Sequence, residues 1–570
     1  MQLKMIIRTL FCLLMVLVTH FCFVQGCFGQ RTKPLQHIWE VTPDFGEIWL
    51  GSLADRVIRF DVRALNSKEA QERLQVARMI CREHKNANFT QKELAIELLI
   101  ARLVKNEEPL PLRRAMISAA SLLDDGTNAA SLWSAAQTDA LSRSTVEKSL
   151  AKWKSPVAIK AWRERLSDPL ARPAEIALAI EGLGSVGGGE DRGPLQALLK
   201  GNDTTVTNRH LAAVALGQLN DDGLNDLAQQ VLDSDVQQRH LLAAQLLVRH
   251  GGERTLEQFR NIFKDGSNVA QFVAAQSLLD NFPEVAREYA PQMVAHGDTT
   301  IRNLALNLLE KHSDEASLRL QATLLNDRNI EIRRLAGTQL VRRAAEGQRM
   351  LVDELITEHM EAEPWPGKEQ AIIMAVSLQD RTRCEKFVEL LEHPRPEVNM
   401  HAGWALMELV QDSAILASIE PHVEKATAFL VENGVRPPLY KTDTIRLSFL
   451  FEAFGRNKYE PMHKLLMKYV PKNDFKLGFP SRASAIWALG QLNKGNDNKP
   501  LREALFERIA DLSPFMPEDE LVRFACILAL GEMGFADSLP TLKEFNVGAP
   551  FPIGVACNWA TEQIEKADPK

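Results

Sequence analysis

The sequence predicts an all-α protein: an α-α superhelix of roughly twelve helix pairs, preceded by a signal or anchor segment. Three observations support this prediction. The phrase RHLAAVALGQLN at 209–220 returns as RASAIWALGQLN at 482–493. Related phrases lie between them at a period close to thirty residues, which is typical of solenoids. With 570 residues, the chain is also too long for one ordinary globular core.

The first thirty residues have the pattern of an export signal. Lys4 and Arg8 precede an uncharged, mostly apolar run at 9–24, and small residues follow it. The letters VQGC, which end at Cys27, resemble a bacterial lipoprotein cleavage box, with Cys27 as the candidate lipidation site. Residues 1–29 are therefore predicted to be a signal peptide or a lipoprotein signal or anchor. The protein is expected to be exported, and periplasmic, membrane-anchored or secreted.

The rest of the chain divides by its repeat pattern. Residues 30–65 lack the repeat and carry Pro, Gly and Trp at irregular spacing, which predicts an N-terminal arm packed on the first repeat. A solenoid is expected over 66–431. The period stretches at 432–480, where aromatic residues are concentrated, so this segment is interpreted as an insertion within the solenoid. C-terminal repeats and a cap are expected over 481–570.

Each repeat phrase has the spacing of a helix. In 209–220, the apolar residues Ala212, Ala213, Leu216 and Leu219 fall on one helix face. Alanine dominates this face because small side chains allow a second helix to approach closely. A further apolar segment lies between successive phrases, so the repeating unit is helix, turn, helix. Such a pair is too small to bury its apolar face alone, and neighbouring pairs must stack.

A recurring Asp precedes the start of several phrases by six residues. The pairs are Asp203 and Arg209, Asp233 and Arg239, Asp265 and Gln271, and Asp327 and Arg333. This pattern, D-x5-R-x2-A ending in A-L-G, resembles HEAT repeats of the short type first associated with phycobilisome lyases, over roughly 100–565. The resemblance implies an armadillo-like solenoid whose second helices line the concave face. It also implies a ladder of Asp/Arg pairs between repeats, which gives these arginines a structural role.

Composition limits the class of partner. The chain has 45% hydrophobic and 25% charged residues, as a folded chain does, and a net charge of −7. An acidic balance gives no general attraction for polyanions, so nucleic acid is not an expected partner. We expect a non-catalytic protein-interaction scaffold of the cell envelope that binds a protein along the concave face. Membrane contact is expected only through the N-terminal anchor, and the oligomeric state stays open.

Two kinds of side chain are candidates for partner binding. Aromatic anchors concentrate the binding energy of interfaces, and arginines pair with acidic groups. Packing in the core, for the aromatic residues, and a solvated surface, for the arginines, stay open as alternatives. The candidates are Trp404 and Trp487, which share a repeat slot, Tyr440, Tyr459 and Tyr469 in the aromatic-rich segment, and Arg334, Arg342 and Arg343 in a basic cluster.

An enzyme that binds a small ligand between helices is the alternative function. HEAT-repeat proteins include the di-iron hydroxylase that modifies deoxyhypusine, whose family binds metal through His-Glu dipeptides. None of the thirteen histidines here is followed by Glu. His210 and His240 share a slot in adjacent repeats, but two imidazoles without acidic partners make a weak metal site. A bilin lyase-like activity has no residues that can be matched. No catalytic residue, metal or cofactor is predicted.

The seven cysteines do not form a disulfide framework. Cys526 and Cys557 occupy the same slot in neighbouring repeats. Stacked helices lie about 8–10 Å apart, whereas a disulfide needs Cα atoms within roughly 7 Å. Both are therefore predicted to be small buried residues.

Overall fold

The computed structural model describes residues 60–85, 89–219, 223–433, 440–472, 476–496, 498–548 and 553–567, without the side chains of 440–442. These residues form α-helices joined by turns and short 3₁₀ or π segments, and none of them lies in a β-strand. The chain divides into two compact units between His312 and Ser313, called here the N-terminal unit and the C-terminal unit. The predicted all-α class is confirmed.

The N-terminal unit alternates first and second helices along the chain. Its second helices are the odd-numbered helices from α1 to α13, and α16. The helices are α1 Ala70–Glu83, α2 Lys92–Lys105, α3 Leu110–Leu123, α4 Ala129–Ala136, α5 Ala140–Lys152, α6 Ile159–Ser167, α7 Pro173–Val186, α8 Arg192–Lys200, α9 Val206–Gln218, α10 Leu224–Leu232, α11 Arg239–Leu247, α12 Glu253–Asp265, α13 Asn268–Asn281, α14 Pro283–Ala286, α15 Ala290–Val294 and α16 Thr299–Leu309.

The C-terminal unit continues the same alternation, and its second helices are the even-numbered ones. Its helices are α17 Glu315–Thr323, α18 Ile330–Arg343, α19 Arg349–Glu361, α20 Trp365–Ser377, α21 Cys384–Leu390, α22 Pro396–Leu409, α23 Ser413–Asn433, α24 Tyr440–Arg456, α25 His463–Leu466, α26 Phe479–Leu492, α27 Lys499–Ala510, α28 Glu520–Met533, α29 Leu539–Asn546 and α30 Ile553–Ala567.

The repeat phrases all fall in second helices, as the helix-pair prediction requires. The phrase at 209–220 lies in α9, and its copy at 482–493 lies in α26. Three further second helices, α1, α5 and α30, stand where no repeat phrase was recognised in the sequence. Within each unit, consecutive second helices pack directly on one another. The stacked helix pairs are therefore confirmed in both units.

Glycine at the end of the A-L-G phrase allows second helices to approach closely. Gly490 on α26 lies against Ala529 on α28, and a Cβ added to Gly490 would come within 2.6 Å of the Ala529 Cα. Gly217 on α9 has the same relation to α11, where an added Cβ would lie 2.6 Å from the carbonyl oxygen of Gln245. Any side chain at either position would push the two helices apart. The phrase thus recurs because it specifies a narrow helix–helix contact.

The described part of the aromatic-rich segment continues the array. Residues 440–456 form α24, and 460–469 form three short helical segments in the place of a first helix. Phe451 and Phe454 of α24 are buried, and the ring of Tyr469 meets Phe451 edge-on at 4.7 Å between ring centroids. These aromatic side chains therefore enlarge the local core of the C-terminal unit.

Cys526 and Cys557, on the second helices α28 and α30, are buried free thiols, as predicted. Cys526 and Cys557 have no exposed surface and no disulfide partner. Burial raises the pKa of the Cys557 thiol to about 11, because the thiolate would lose its solvation. Both residues fill space between helices.

Candidate functional site

In nine of the repeats, the residue at the position of Arg209 and Arg482, called here the lead residue, bonds back to the end of the preceding first helix. Arg302 Nη1 donates to the carbonyl oxygens of His296 and Gly297, each at 3.0 Å. A helix leaves its last carbonyl groups without intrahelical partners, so these bonds seal the first helix of each pair. Further lead residues that donate to such carbonyls are Arg209 to Gly201 (2.7 Å), Arg239 to Ser234 (3.1 Å), Gln271 to Phe263 (2.9 Å), Arg333 to Asp327 (2.9 Å), Lys368 to Met360 (2.6 Å), Asn399 to His393 (3.0 Å), Arg482 to Tyr469 (3.1 Å) and Arg523 to Ile509 (2.9 Å).

These contacts differ from the Asp/Arg ladder that the family resemblance implies. Arg333 bonds to the backbone carbonyl of Asp327, while the Asp327 carboxylate accepts the backbone N–H of Asn329 at 2.7 Å. Asp233 ends α10 and accepts a bond from the Gln229 side chain. The recurring feature is therefore a side-chain bond to a backbone carbonyl within one helix pair. The structural role expected for the lead arginines agrees with these bonds.

The bonds of the lead residues hold their second helices at a similar rotation about the helix axis. Positions one, five and nine after the lead residue share one helix side, called here the second-helix face. On α16 this face carries Asn303 and Asn307, both exposed. On α18 it carries Arg334, Thr338 and Arg342, which are exposed or half-buried. Polar side chains are therefore presented at equivalent positions in both units.

The same face is buried on later second helices of the C-terminal unit. Trp404 on α22 and Trp487 on α26 are 3% and 7% exposed. Leu528 on α28, at the equivalent position, is also buried. The Trp487 ring lies against α24, where a Cβ added to Gly455 would come within 2.7 Å of it. Both tryptophans pack between helices, and their binding of a partner stays a prediction that would require these side chains to become exposed.

The three candidate tyrosines do not form one surface. Tyr469 is fully buried, its hydroxyl is 2.8 Å from Thr427 Oγ1, and burial raises its pKa. Tyr459 is half-buried and donates to Glu420, a bond that raises its pKa to about 12. Tyr440 begins α24, but its side chain lies outside the described residues.

The three candidate arginines all lie on α18 but have different surroundings. Arg334 is exposed and lies 3.4 Å from Glu331. Arg342 is two turns further on the same side, 3.9 Å from Glu346. Arg343 is largely covered, and its Nη1 lies 2.6 Å from Glu346. The second-helix face therefore includes Arg334 and Arg342 and excludes Arg343.

Trp365, which was not among the predicted binding residues, lies between two arginines. Trp365 begins α20 and is half-buried. The Arg395 guanidinium lies 4.6 Å from its ring centroid, and that of Arg333 lies 5.5 Å away, both within range of a cation–π interaction. The sequence signal was a tryptophan between two prolines just before a repeat phrase. Its arginine neighbours come from α18 and from the residue before α22, so no short motif contains the set.

Arg333, one of these two arginines, also belongs to a buried cluster of polar side chains. Glu369 is 3.5 Å from Arg333 and 3.8 Å from His401 Nδ1, and all three residues are buried. Burial lowers the pKa of His401, more than the nearby Glu369 raises it, so the imidazole is neutral at pH 7. His401 Nδ1 donates to the backbone carbonyl of Glu397 at 2.6 Å. The cluster joins three consecutive second helices.

The two histidines considered for metal binding have other surroundings. His210 bonds to the side chains of Gln238 and Gln245. His240 lines a shallow cleft beside Gln238 at the start of α11. In the described residues, no group of three or more His, Cys, Asp and Glu side chains is arranged to hold a metal ion.

The N-terminal predictions fall outside the described residues. They concern the signal or anchor at 1–29, Cys27, and most of the arm at 30–65. Among the helices that are described, none combines the length and apolar character needed to cross a bilayer.

No family model matches the sequence, and no curated protein matches it. Solved structures of the karyopherin Kap121p, of importin beta and of Kap95p give matches to this chain. Kap121p bound to Pho4p has a TM-score of 0.46 at 12% identity, over 89% of this chain and 55% of that chain. Importin beta gives 0.43 at 11% identity, over 89% and 72%. Kap95p with RanGDP gives 0.47 at 12% identity, over 88% and 72%. The chain thus spans little more than half the length of Kap121p.

Proposed function

We propose that this protein is a non-catalytic interaction scaffold that binds a partner protein along the second-helix face. One observation carries the proposal: exposed polar side chains occupy the same face positions on a second helix of each unit. Asn303 and Asn307 offer amide donors and acceptors on α16, and Arg334 and Arg342 offer guanidinium groups on α18. The lead residues bond to carbonyls of their own pair and do not belong to this face.

Recurrence favours a long partner over a small ligand. Within one unit, consecutive second helices lie about 8–10 Å apart. A partner lying along several of them gains one modest polar contact per repeat, so affinity accumulates with length. Half-buried apolar side chains at equivalent positions, such as Val214 on α9 and Phe272 on α13, add apolar area to the same face.

The cellular setting and the family belong to the same proposal. The basic and apolar pattern of residues 1–29 supports export, and Cys27 supports a lipid anchor in the cell envelope. The D-x5-R-x2-A pattern supports the short HEAT-repeat type associated with phycobilisome lyases.

Site-specific photocrosslinking tests the proposed face. A benzophenone amino acid replaces Asn307 on α16 or, as the matched control, Glu257, which is exposed on the first helix α12. We expect irradiation in the native host to join a protein to position 307 and not to position 257. The substitution Asn303→Ala, on the same face of α16, should reduce recovery of that partner without changing the thermal midpoint. Equal labelling from both positions, or none from 307, would contradict the proposal.

A further inference from the structure

The loop between α27 and α28 exposes a cluster of apolar side chains. Residues 512–517, Leu-Ser-Pro-Phe-Met-Pro, contain no charged side chain and are called here the apolar tip. Phe515 is 94% exposed, Leu512 64% and Met516 51%. Three large apolar side chains within five residues of an exposed loop differ from the scattered single ones that are usual on protein surfaces.

The base of this loop is held by ionic and backbone contacts. Lys472 Nζ lies 2.8 Å from Asp511 Oδ2 and also donates to the carbonyl of Met516. The backbone N–H of Glu518 donates to the carbonyl of Asp511 at 2.9 Å, which closes the loop. The Glu518 carboxylate accepts two bonds from the buried Arg482, each 2.8 Å long. These contacts hold the two ends of the loop in place, and the apolar tip extends from them.

Four of the six residues of the tip have no unpaired backbone N–H. Pro514 and Pro517 have no N–H. Leu512 N donates to the carbonyl of Ala510 at 2.9 Å, and Ser513 N donates to Asp511 Oδ1 at 3.3 Å. Because an unpaired backbone donor is costly in an apolar medium, this arrangement lowers the cost of taking the tip out of water.

The charges closest to the tip are already paired. The hydrogen bond from Lys472 is the main reason that the pKa of Asp511 is lowered. Asp511 therefore stays ionised and paired at neutral pH. Glu518 has no exposed side-chain surface. The exposed carboxylate of Glu520 follows on α28, beyond the tip. Residues 512–517 carry no charged side chain of their own, and Lys472, which bonds to the Met516 carbonyl, is paired with Asp511.

We propose that the apolar tip is a membrane contact, which inserts into the boundary between headgroups and acyl chains of a lipid bilayer. A bilayer fits better than a pocket of a partner protein, because the tip is a protrusion whose one polar side chain is Ser513. Pockets and interfaces fix a protein ligand with several directed polar contacts. A single apolar contact of this size gives weak, reversible binding, which a lipid anchor elsewhere on the chain would strengthen. This proposal does not depend on the proposed partner face.

A fluorescent reporter placed in the full-length chain tests the proposal. Phe515→Cys carries an environment-sensitive NBD label, and Met350→Cys is the matched control, because Met350 is 88% exposed on α19 and lies outside the tip. The labelled wild-type chain gives the background from native cysteines. Vesicles are either phosphatidylcholine alone or phosphatidylethanolamine with phosphatidylglycerol. We expect both to brighten the label at 515 and shift its emission to shorter wavelength, and to leave the label at 350 unchanged.

Substitution of the tip gives an independent readout. The triple variant Leu512→Ser, Phe515→Ser, Met516→Ser should keep the thermal midpoint, since all three side chains are exposed, and should lose flotation with phosphatidylcholine vesicles relative to Met350→Ser. An unchanged label at 515 with both vesicle types would overturn the proposal. So would a photocrosslink from position 515 to a protein together with no response to vesicles. Loss of partner capture at Asn307 would affect the proposed function alone.

Discussion

Arg482 and Glu518 form a bidentate ion pair with no exposed side-chain surface. Arg482 Nη1 and Nη2 each lie 2.8 Å from a carboxylate oxygen of Glu518. The same guanidinium donates to the carbonyls of Tyr469 and Val470, each at 3.1 Å. One arginine therefore closes a first helix and also holds the loop that leads into α28. A buried pair of this kind depends on both partners, because either charge alone would be left unsolvated.

Arg482→Met should destabilise the C-terminal unit by about 3–5 kcal/mol, because it removes the two direct bonds to the buried Glu518 carboxylate and leaves Arg508, 3.6 Å away, as its remaining cation. The double variant Arg482→Met, Glu518→Leu should recover part of this loss, but not all, since the Tyr469 and Val470 carbonyls still lack their donor. Urea unfolding of the full chain measures both. Arg334→Met, at an exposed arginine of a second helix, should change stability by less than about 0.5 kcal/mol. Equal effects at Arg482 and Arg334 would refute the role given to the pair.

Gly490→Ala should separate α26 from α28 and cost about 1–3 kcal/mol, because the new Cβ meets the Ala529 backbone. Gly193→Ala is the matched control in helix α8, where an added Cβ meets nothing within 4 Å. That change should stabilise the protein by about 0.4–1 kcal/mol, since alanine loses less backbone entropy on folding. Thermal midpoints should move in opposite directions. A shared direction would argue against the close helix contact.

Gln271→Leu should destabilise the N-terminal unit by about 1 kcal/mol, because the Phe263 carbonyl at the end of α12 loses its donor. Gln271→Arg should recover part of the loss, since it restores a donor to the Phe263 carbonyl but not the acceptor that Gln271 Oε1 offers to His296 Nε2 at 3.0 Å. Gln276→Leu, on the exposed side of the same helix, should have little effect. Urea midpoints of the three variants measure this. If the arginine variant is as unstable as the leucine variant, the lead position is not a carbonyl cap.

Folding stability should fall with acid through His401, whose pKa burial holds below its ordinary value of 6.5. Below about pH 6.5, the unfolded chain binds a proton that the folded chain does not, so stability declines as pH falls through the folded pKa. Above about pH 6.5 neither state is protonated, and this contribution is complete. His401→Gln should flatten the slope of the urea midpoint against pH. An unchanged slope in His401→Gln would contradict the assignment.

Helix positions could be predicted wherever the repeat phrase survives. The small residues of RHLAAVALGQLN and RASAIWALGQLN mark α9 and α26, because a close helix contact admits few residue types. Helix α5, Ala140–Lys152, was missed because its sequence, ALSRSTVEKSLAK, is polar and lacks the A-L-G ending. Its contacts with neighbouring helices, which no local pattern records, place it in the array.

Functional surfaces were harder to predict than helices. The lead arginines were recognised, but their acceptors are backbone carbonyls, which a side-chain pattern does not reveal. Exposure of Trp404 and Trp487 depends on what lies against their helices, and both proved to be buried. Trp365 meets Arg333 and Arg395 only because the starts of neighbouring second helices come together. The apolar tip at 512–517 resembles an ordinary proline-containing turn until the exposure of Phe515 is known.

Because each lead residue bonds within its own helix pair, the whole pair is the unit that can be duplicated without loss of these bonds. Arg333 and Arg523 seal the first helix of their own pair, so a complete pair brings both the open carbonyl and its donor. Duplication or loss of a whole pair leaves every such seal intact, whereas a boundary between the two helices separates donor from acceptor. Lengthening by whole pairs is therefore the route open to this chain, and it accounts for a spacing that stays close to thirty residues.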